Sequence, residues 1–282
     1  MKQFRHYIFE IALIAAAILI SVLGFWNIYF GAEADPQPHH YLHFATVFIW
    51  MGLLLAQLIL IVRRSYQMHR KVGLAVLVAG PLLVATTAML AVRSAHKGVV
   101  SGEGDFMIVQ NVLTTVELGL LIFLAFLLKN RRKLHGSLLL STTILFIGIA
   151  LFFALTSFVP PFRIDGPAFG IEGPETFDRF QMAGTAGQVT CFVVGVLFFI
   201  RDPRNAWPFL VVGVCFPLNG AIYSQLMSLG LIDPLTETVG STSQTLTFVA
   251  TFAFLFSLLV ATALPRRDRI SRGPVGNVRP AA

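Results

Sequence analysis

Eight separate stretches of about 20 apolar residues divide this chain, and each is long enough to cross a lipid bilayer as a helix. They cover residues 8–30, 41–62, 73–95, 107–128, 137–159, 181–200, 207–229 and 241–264. In hydrocarbon the backbone N–H and C=O groups must be paired within the segment, so isolated apolar runs of this length read as helices. Composition points the same way. Of 282 residues, 56% are hydrophobic, 12% are charged and 26 are Phe, far more apolar surface than one soluble core would use. The predicted class is all-α: a polytopic membrane helical bundle with a single transmembrane domain over residues 1–265. A basic, disordered tail with Gly and Pro follows over 266–282.

The first run opens after MKQFRHY and is followed by FGAEA, small residues of the kind that follow a secretory leader. Its apolar part is too long for a leader's core, which favours a retained helix. Glu10 near its start also suits a helix whose end faces other helices.

Basic residues set the orientation, because Lys and Arg are retained on the cytoplasmic side of a membrane. Seventeen of the 21 fall at one end of the predicted spans, leaving only Arg93, Lys97, Arg163 and Arg179 at the other. Both termini are therefore predicted to be cytoplasmic, and the chain to be a multi-pass protein of a bacterial inner membrane. Ten of the 14 acidic residues lie at the opposite end, Asp35, Asp105 and Asp233 among them. The net charge of +7 thus follows from membrane topology, and nucleic acid is excluded as the partner it would suggest in a soluble domain. Cys191 and Cys215 fall inside predicted spans, where core packing is the simplest role. No Lys stands at mid-span for a retinal Schiff base, and phosphate-binding Gly-rich loops, HExxH and GxSxG are absent.

Two hairpins look related. His43, Trp50, Gln57 and Arg64 recur every seven residues in the second run, and Gln110, Glu117, Leu124 and Arg131 do so in the fourth, at a constant offset of 67. A basic turn with one His follows each, RRSYQMHRKVGL with His69 and NRRKLHGSLLL with His135. Spans two and three would then repeat as spans four and five about an axis along the membrane normal.

Several polar side chains interrupt the apolar pattern. His69 and His135, both at the basic end, supply the two imidazoles that a b-type haem takes as axial ligands. A second haem near the other end would draw on His43 and His96, with Arg93 one turn away to meet a carboxylate and Gln110 where a fourth His would stand. His39 and His43, four apart on one helical face, with Asp35 or Glu33, form the alternative of a metal site. Interfacial decoration is the plain alternative for all of these histidines. Glu117 lies about eleven residues into its run, near the bilayer centre, where a carboxyl group is costly unless protonated, paired or hydrogen-bonded. Thr86, Thr87, Trp50 and Asn219 are candidate partners at that depth. Asn219 sits between Pro217 and Gly220, and Gln181 and Gln188 share a face of the sixth run.

The stretches LHFATVFIW, RRSYQMHRKVG and RRKLHGSLLLSTTI, carrying His43, His69, Arg70, Gly73 and His135, resemble a group of polytopic bacterial membrane proteins with a His, His-Arg-x-x-Gly, His pattern. More loosely they are similar to membrane proteins of cytochrome oxidase assembly and to transmembrane di-haem b cytochromes. The resemblance covers about residues 39–160. It implies haem b as cofactor, quinone or a respiratory complex as partner within the lipid bilayer, and electron transfer or complex assembly as function, with Glu117 managing protons. A permease for a small solute, with a midplane site around Glu117 and Asn219, is the reading that needs no cofactor chemistry. A structural or assembly protein without any cofactor needs only the topology.

Overall fold

The computed structural model describes residues 7–32, 34–102, 104–164 and 174–263. The tail 266–282, Lys2, Arg5, Glu33, Glu103 and the centre of the Pro- and Gly-rich loop, 165–173, lie outside the described residues. Among the described residues there are eleven α-helices, a single 3-10 turn and no strand. The helices are α1 (Ile8–Gly24), α2 (Trp26–Tyr29), α3 (Pro38–Val62), α4 (Tyr66–Gly73), α5 (Val76–Ser101) and α6 (Ile108–Leu127). After them come α7 (Arg132–Phe158), the turn Pro160–Phe162, α8 (Pro174–Arg201), α9 (Trp207–Ser228), α10 (Ile232–Gly240) and α11 (Gln244–Ala263). Seven of these helices have the length and apolarity to cross a membrane, so the chain is a multi-pass helical membrane protein.

The first predicted run forms a shorter element than its apolar length suggests. α1 has 17 residues, at the lower limit for a span. The helix ends at Gly24, which packs directly on α7: a Cβ there would stand 2.1 Å from the Ala150 carbonyl oxygen. Phe25 then leads into the one-turn α2, where Phe25 meets Tyr29 edge-on and Phe153 at a tilt, and Tyr29 meets Phe44 at a tilt.

Helix ends follow local chemistry. Pro38 occupies the first turn of α3, where its missing N–H leaves no bond unmade. α3 ends in a tight reversal in which Arg64 takes a left-handed φ of 58° while the Ser65 N–H reaches back to the Leu60 carbonyl at 2.9 Å. That bond satisfies a carbonyl that the helix end would otherwise orphan. The short α4 occurs only in the first of the two hairpins compared above. α6 passes into α7 through Leu128–Arg131 alone, which is why His69 and His135 occupy different local settings.

α7 is the centre of the bundle and packs against α1, α6, α8 and α9, while α5 packs against α3, α6, α10 and α11. The main core holds Trp50, Leu83, Leu118, Ile122 and Leu138, all fully buried, and a smaller cluster gathers around Ala95, Ile108 and Val109. Large apolar side chains such as Leu19, Leu197, Leu246 and Phe254 remain on the outer faces, as lipid-facing helices require. At the basic end Arg201 on α8 pairs with Glu10 on α1 at 3.1 Å and covers the Phe9 ring, so the charge of Glu10 binds one helix start to another helix's end. Lys133 meets Asp202 at 3.7 Å, and Lys129 donates to the Thr262 carbonyl. These contacts bring the starts of α1 and α7 to the same end as the finishes of α6, α8 and α11.

α8 and α9 approach closely through reciprocal glycines. A Cβ at Gly195 would lie 2.5 Å from the Phe209 carbonyl oxygen, and one at Gly213 would lie 2.9 Å from that of Cys191. Small residues allow such backbone contact where lipid provides no hydrophobic drive between helices. Gly195→Leu is expected to cost at least about 1–3 kcal/mol through overpacking and to lower the melting temperature in detergent. Gly52→Ala, where a Cβ meets nothing within 4 Å, should leave it within error.

Candidate functional site

The half of the bundle toward the acidic end encloses a cavity of about 1360 Å³ walled by α3, α5, α6, α7, α8 and α9 together with the segment 25–37. From Asn219 at its floor to Met227 near its mouth, α9 rises about 12 Å. Arg93, Lys97, His39, His40 and Asp35 line the mouth. The middle is aromatic, with Phe146, Phe152, Phe180 and Phe216, and the floor carries the amides of Gln188 and Asn219. Outside the cavity lining the fully buried Trp50, Leu83, Ile122 and Leu138 close the bundle toward the basic end.

Asn219 connects the cavity to the mid-span carboxyl group. Its side chain is 3% exposed, and its Nδ2 donates to Glu117 Oε1 at 3.0 Å. The Cys215 thiol, one turn earlier on α9, lies beside the same carboxyl group. Glu117 Oε2 is buried without a hydrogen-bond partner among the described residues. Pro217 lies inside α9 and has no N–H for the helix ladder, and the turn it loosens is the one that carries Asn219.

The other proposed partners of Glu117 are engaged elsewhere. Trp50 Nε1 donates to Thr142 Oγ1 at 2.9 Å, and Thr142 passes its own proton to the Leu139 carbonyl. Thr87 donates to the Leu83 carbonyl at 2.9 Å. Thr86 donates to the same carbonyl at 2.9 Å and lies 2.9 Å from Thr46 Oγ1 and 3.2 Å from His43 Nδ1. Thr46, whose hydroxyl also reaches the His43 carbonyl at 2.8 Å, Thr86 and the His43 ring thus form one polar cluster that joins α3 to α5 at the cavity wall.

The remaining candidates are dispersed. Gln110 lines the cavity and donates to Thr114 Oγ1 on its own helix at 2.7 Å. His40 Nδ1 accepts from the Gln37 N–H at 3.1 Å, and its ring lies 4.1 Å from that of His39. His96 is at the Gly240 carbonyl of α10, 3.2 Å away and outside the cavity wall where His43 stands. No group of three or more His, Cys, Asp or Glu side chains is placed to hold a metal among the described residues.

At the basic end His135 Nδ1 donates to the Ala125 carbonyl at 2.8 Å, which leaves Nε2 free in the manner of a ligating histidine. His69 is held differently. The Gln57 amide, oriented so that both of its atoms are satisfied, donates to His69 Nδ1 and to the His69 carbonyl, and accepts from the Gly73 N–H at 2.8 Å. A neutral His69 that accepts at Nδ1 carries its proton on Nε2. Burial first, then the nearby His135, and lastly Arg70 hold its pKa below the ordinary imidazole range against a hydrogen bond with the Gln57 backbone. The two rings are thus held by different partners, and ligation of one haem by both would require the Gln57 contact to His69 to rearrange.

Asp105 has no sequence signal of its own. It is 5% exposed between α5 and α6, with Oδ1 accepting from the Met107 N–H at 2.9 Å and Oδ2 buried without a partner among the described residues. Burial pushes its carboxyl group above the ordinary range, opposed by the bonds from Met107 and Ser94.

Removing one partner from the Glu117–Asn219 pair leaves the other unsatisfied at mid-span, at a cost of about 1–3 kcal/mol. Asn219→Leu and Glu117→Leu should each lower the melting temperature, and the double variant should lose less than the sum of the two. Additive losses would show that the pair is not coupled. Comparison with protein-family models, curated proteins and solved structures finds no match to this chain.

Proposed function

We propose that the chain is a small-solute permease whose substrate enters the bundle from the acidic end and rests above the Asn219–Glu117 pair. The observation that supports this reading is a cavity walled by six membrane helices, open to one half of the bundle and floored by polar side chains near mid-depth. Transporters bind near the bilayer midplane and expose the site to one side at a time. An aqueous path from the acidic end to Asn219, with Trp50 and Leu83 sealing the other half, is the arrangement of one such state. The carboxyl group of Glu117 lies behind Asn219, where it reports substrate binding to the α6–α9 contact through a single hydrogen bond. This reading takes precedence over electron transfer through haem because the cavity and its polar floor lie together, whereas His69 and His135 are held by different partners.

A substrate that fills the cavity stabilises the folded chain by mass action, about 2.7 kcal/mol at a hundred times its Kd. Screening small organic acids, amines and sugars by thermal melting should therefore find compounds that raise the melting temperature by several degrees. A Phe at position 184 should remove the effect, because Gly184 lines the cavity and a Cβ there meets nothing within 4 Å, so the ring enters the cavity without disturbing the helix. The same compounds should cross proteoliposome membranes faster with the wild-type chain than with Gly184→Phe. Compounds that stabilise both chains equally, or none that stabilise either, would contradict the proposal.

A further inference from the structure

Resting on the reading of the cavity as a binding site, we infer that its ligand is an organic anion with an apolar body: a carboxylate-type head held at the mouth by Arg93, and a ring or short chain lying along the aromatic wall. Arg93 lines the cavity and has no hydrogen bond or ion pair among the described residues. An arginine is the side chain that recognises a carboxylate in a fixed, two-pronged geometry. Its field is felt by the neighbouring rim, since it is one of the charges that act on His39 and His40. Lys97 stands one turn further along α5 on the same wall. Among the described residues Asp35 is the only carboxylate in the cavity wall.

The body of the ligand follows from the surface below that charge. Phe146 and Phe152 on α7, Phe180 on α8 and Phe216 on α9 face a cavity about 12 Å deep, long enough for one aromatic ring and a short chain. A small inorganic anion would leave this wall hydrated, and a cation would meet Arg93 first. Gln188 and Asn219 at the floor present amide groups that accept or donate to a polar atom at the far end of such a body.

The test uses three probes with one body and three heads: 4-phenylbutyrate, the neutral 4-phenylbutyramide and the cationic 4-phenylbutylamine. Each is titrated calorimetrically into the full chain in lipid nanodiscs, with Arg93→Gln, Arg93→Lys and Gly184→Phe beside the wild type. A charge-assisted hydrogen bond makes the carboxylate bind about tenfold tighter than the amide or better. That preference should vanish in Arg93→Gln, survive in part in Arg93→Lys, and disappear together with all binding in Gly184→Phe. If the amide or the amine binds as tightly as the acid, and Gly184→Phe still abolishes binding, the anion assignment is overturned and the cavity remains a binding site. If no probe binds at about 1 mM, or binding is untouched by Gly184→Phe, the cavity reading falls as well.

Discussion

Inside a bilayer a polar group has only the protein to turn to, and that constraint organises this bundle from the middle outward. The indole of Trp50 finds Thr142, the pair Thr46 and Thr86 closes on His43 and on helix carbonyls, and Gln57 fastens α3 to the ring and backbone of His69. Each of these contacts joins two elements, α3 to α7, α3 to α5, and α3 to α4. The polar residues therefore act as registers between helices whose apolar faces would otherwise pack in many ways. Glu117 and Asn219 do the same for α6 and α9, with one carboxyl oxygen left over.

The packing changes at the level of this pair. Around Trp50 the helices are tightly packed and its indole is paired with Thr142. Above Asn219 the helices part, and the space between them is bounded by phenylalanines and by side chains that end in amides, imidazoles and one guanidinium. Unfilled volume forfeits the dispersion contacts that hold helices together in lipid, so the void costs the bundle packing energy. Glycine contacts keep the surrounding helices close, so the void is held open by its rim and floor while α8 and α9 stay in backbone contact.

Much of the fold could be read from the chain because hydrophobic length is a one-dimensional property. The run 107–128 became Ile108–Leu127, and 207–229 became Trp207–Ser228. Where the boundaries moved, tertiary contact or helix continuation into polar residues accompanied the shift: α7 begins in the basic turn at Arg132, and α1 ends where Gly24 meets Ala150. Glu117 and Asn219 stood out because they are polar inside apolar runs. Their meeting did not, since it depends on which faces of α6 and α9 oppose one another. Thr46, Thr86 and Thr142 gave no warning because a helical Thr can satisfy itself on the carbonyl three or four residues back, and only the fold shows which of them also reach across. His69 and His135 shared a sequence setting, yet a separate short helix that carries one of them gave the two rings different hydrogen-bond partners.

The account depends most on a water-filled cavity that opens at the acidic end alone. Thr185 on α8 lines it, so a Thr185→Cys chain in sealed vesicles of known orientation tests this directly with a membrane-impermeant maleimide. The account predicts rapid labelling, above that of the parent chain, when the reagent is added from the acidic-end side, and none when it is added from the basic side. Labelling that fails from the acidic-end side, or that proceeds equally from both, would contradict it.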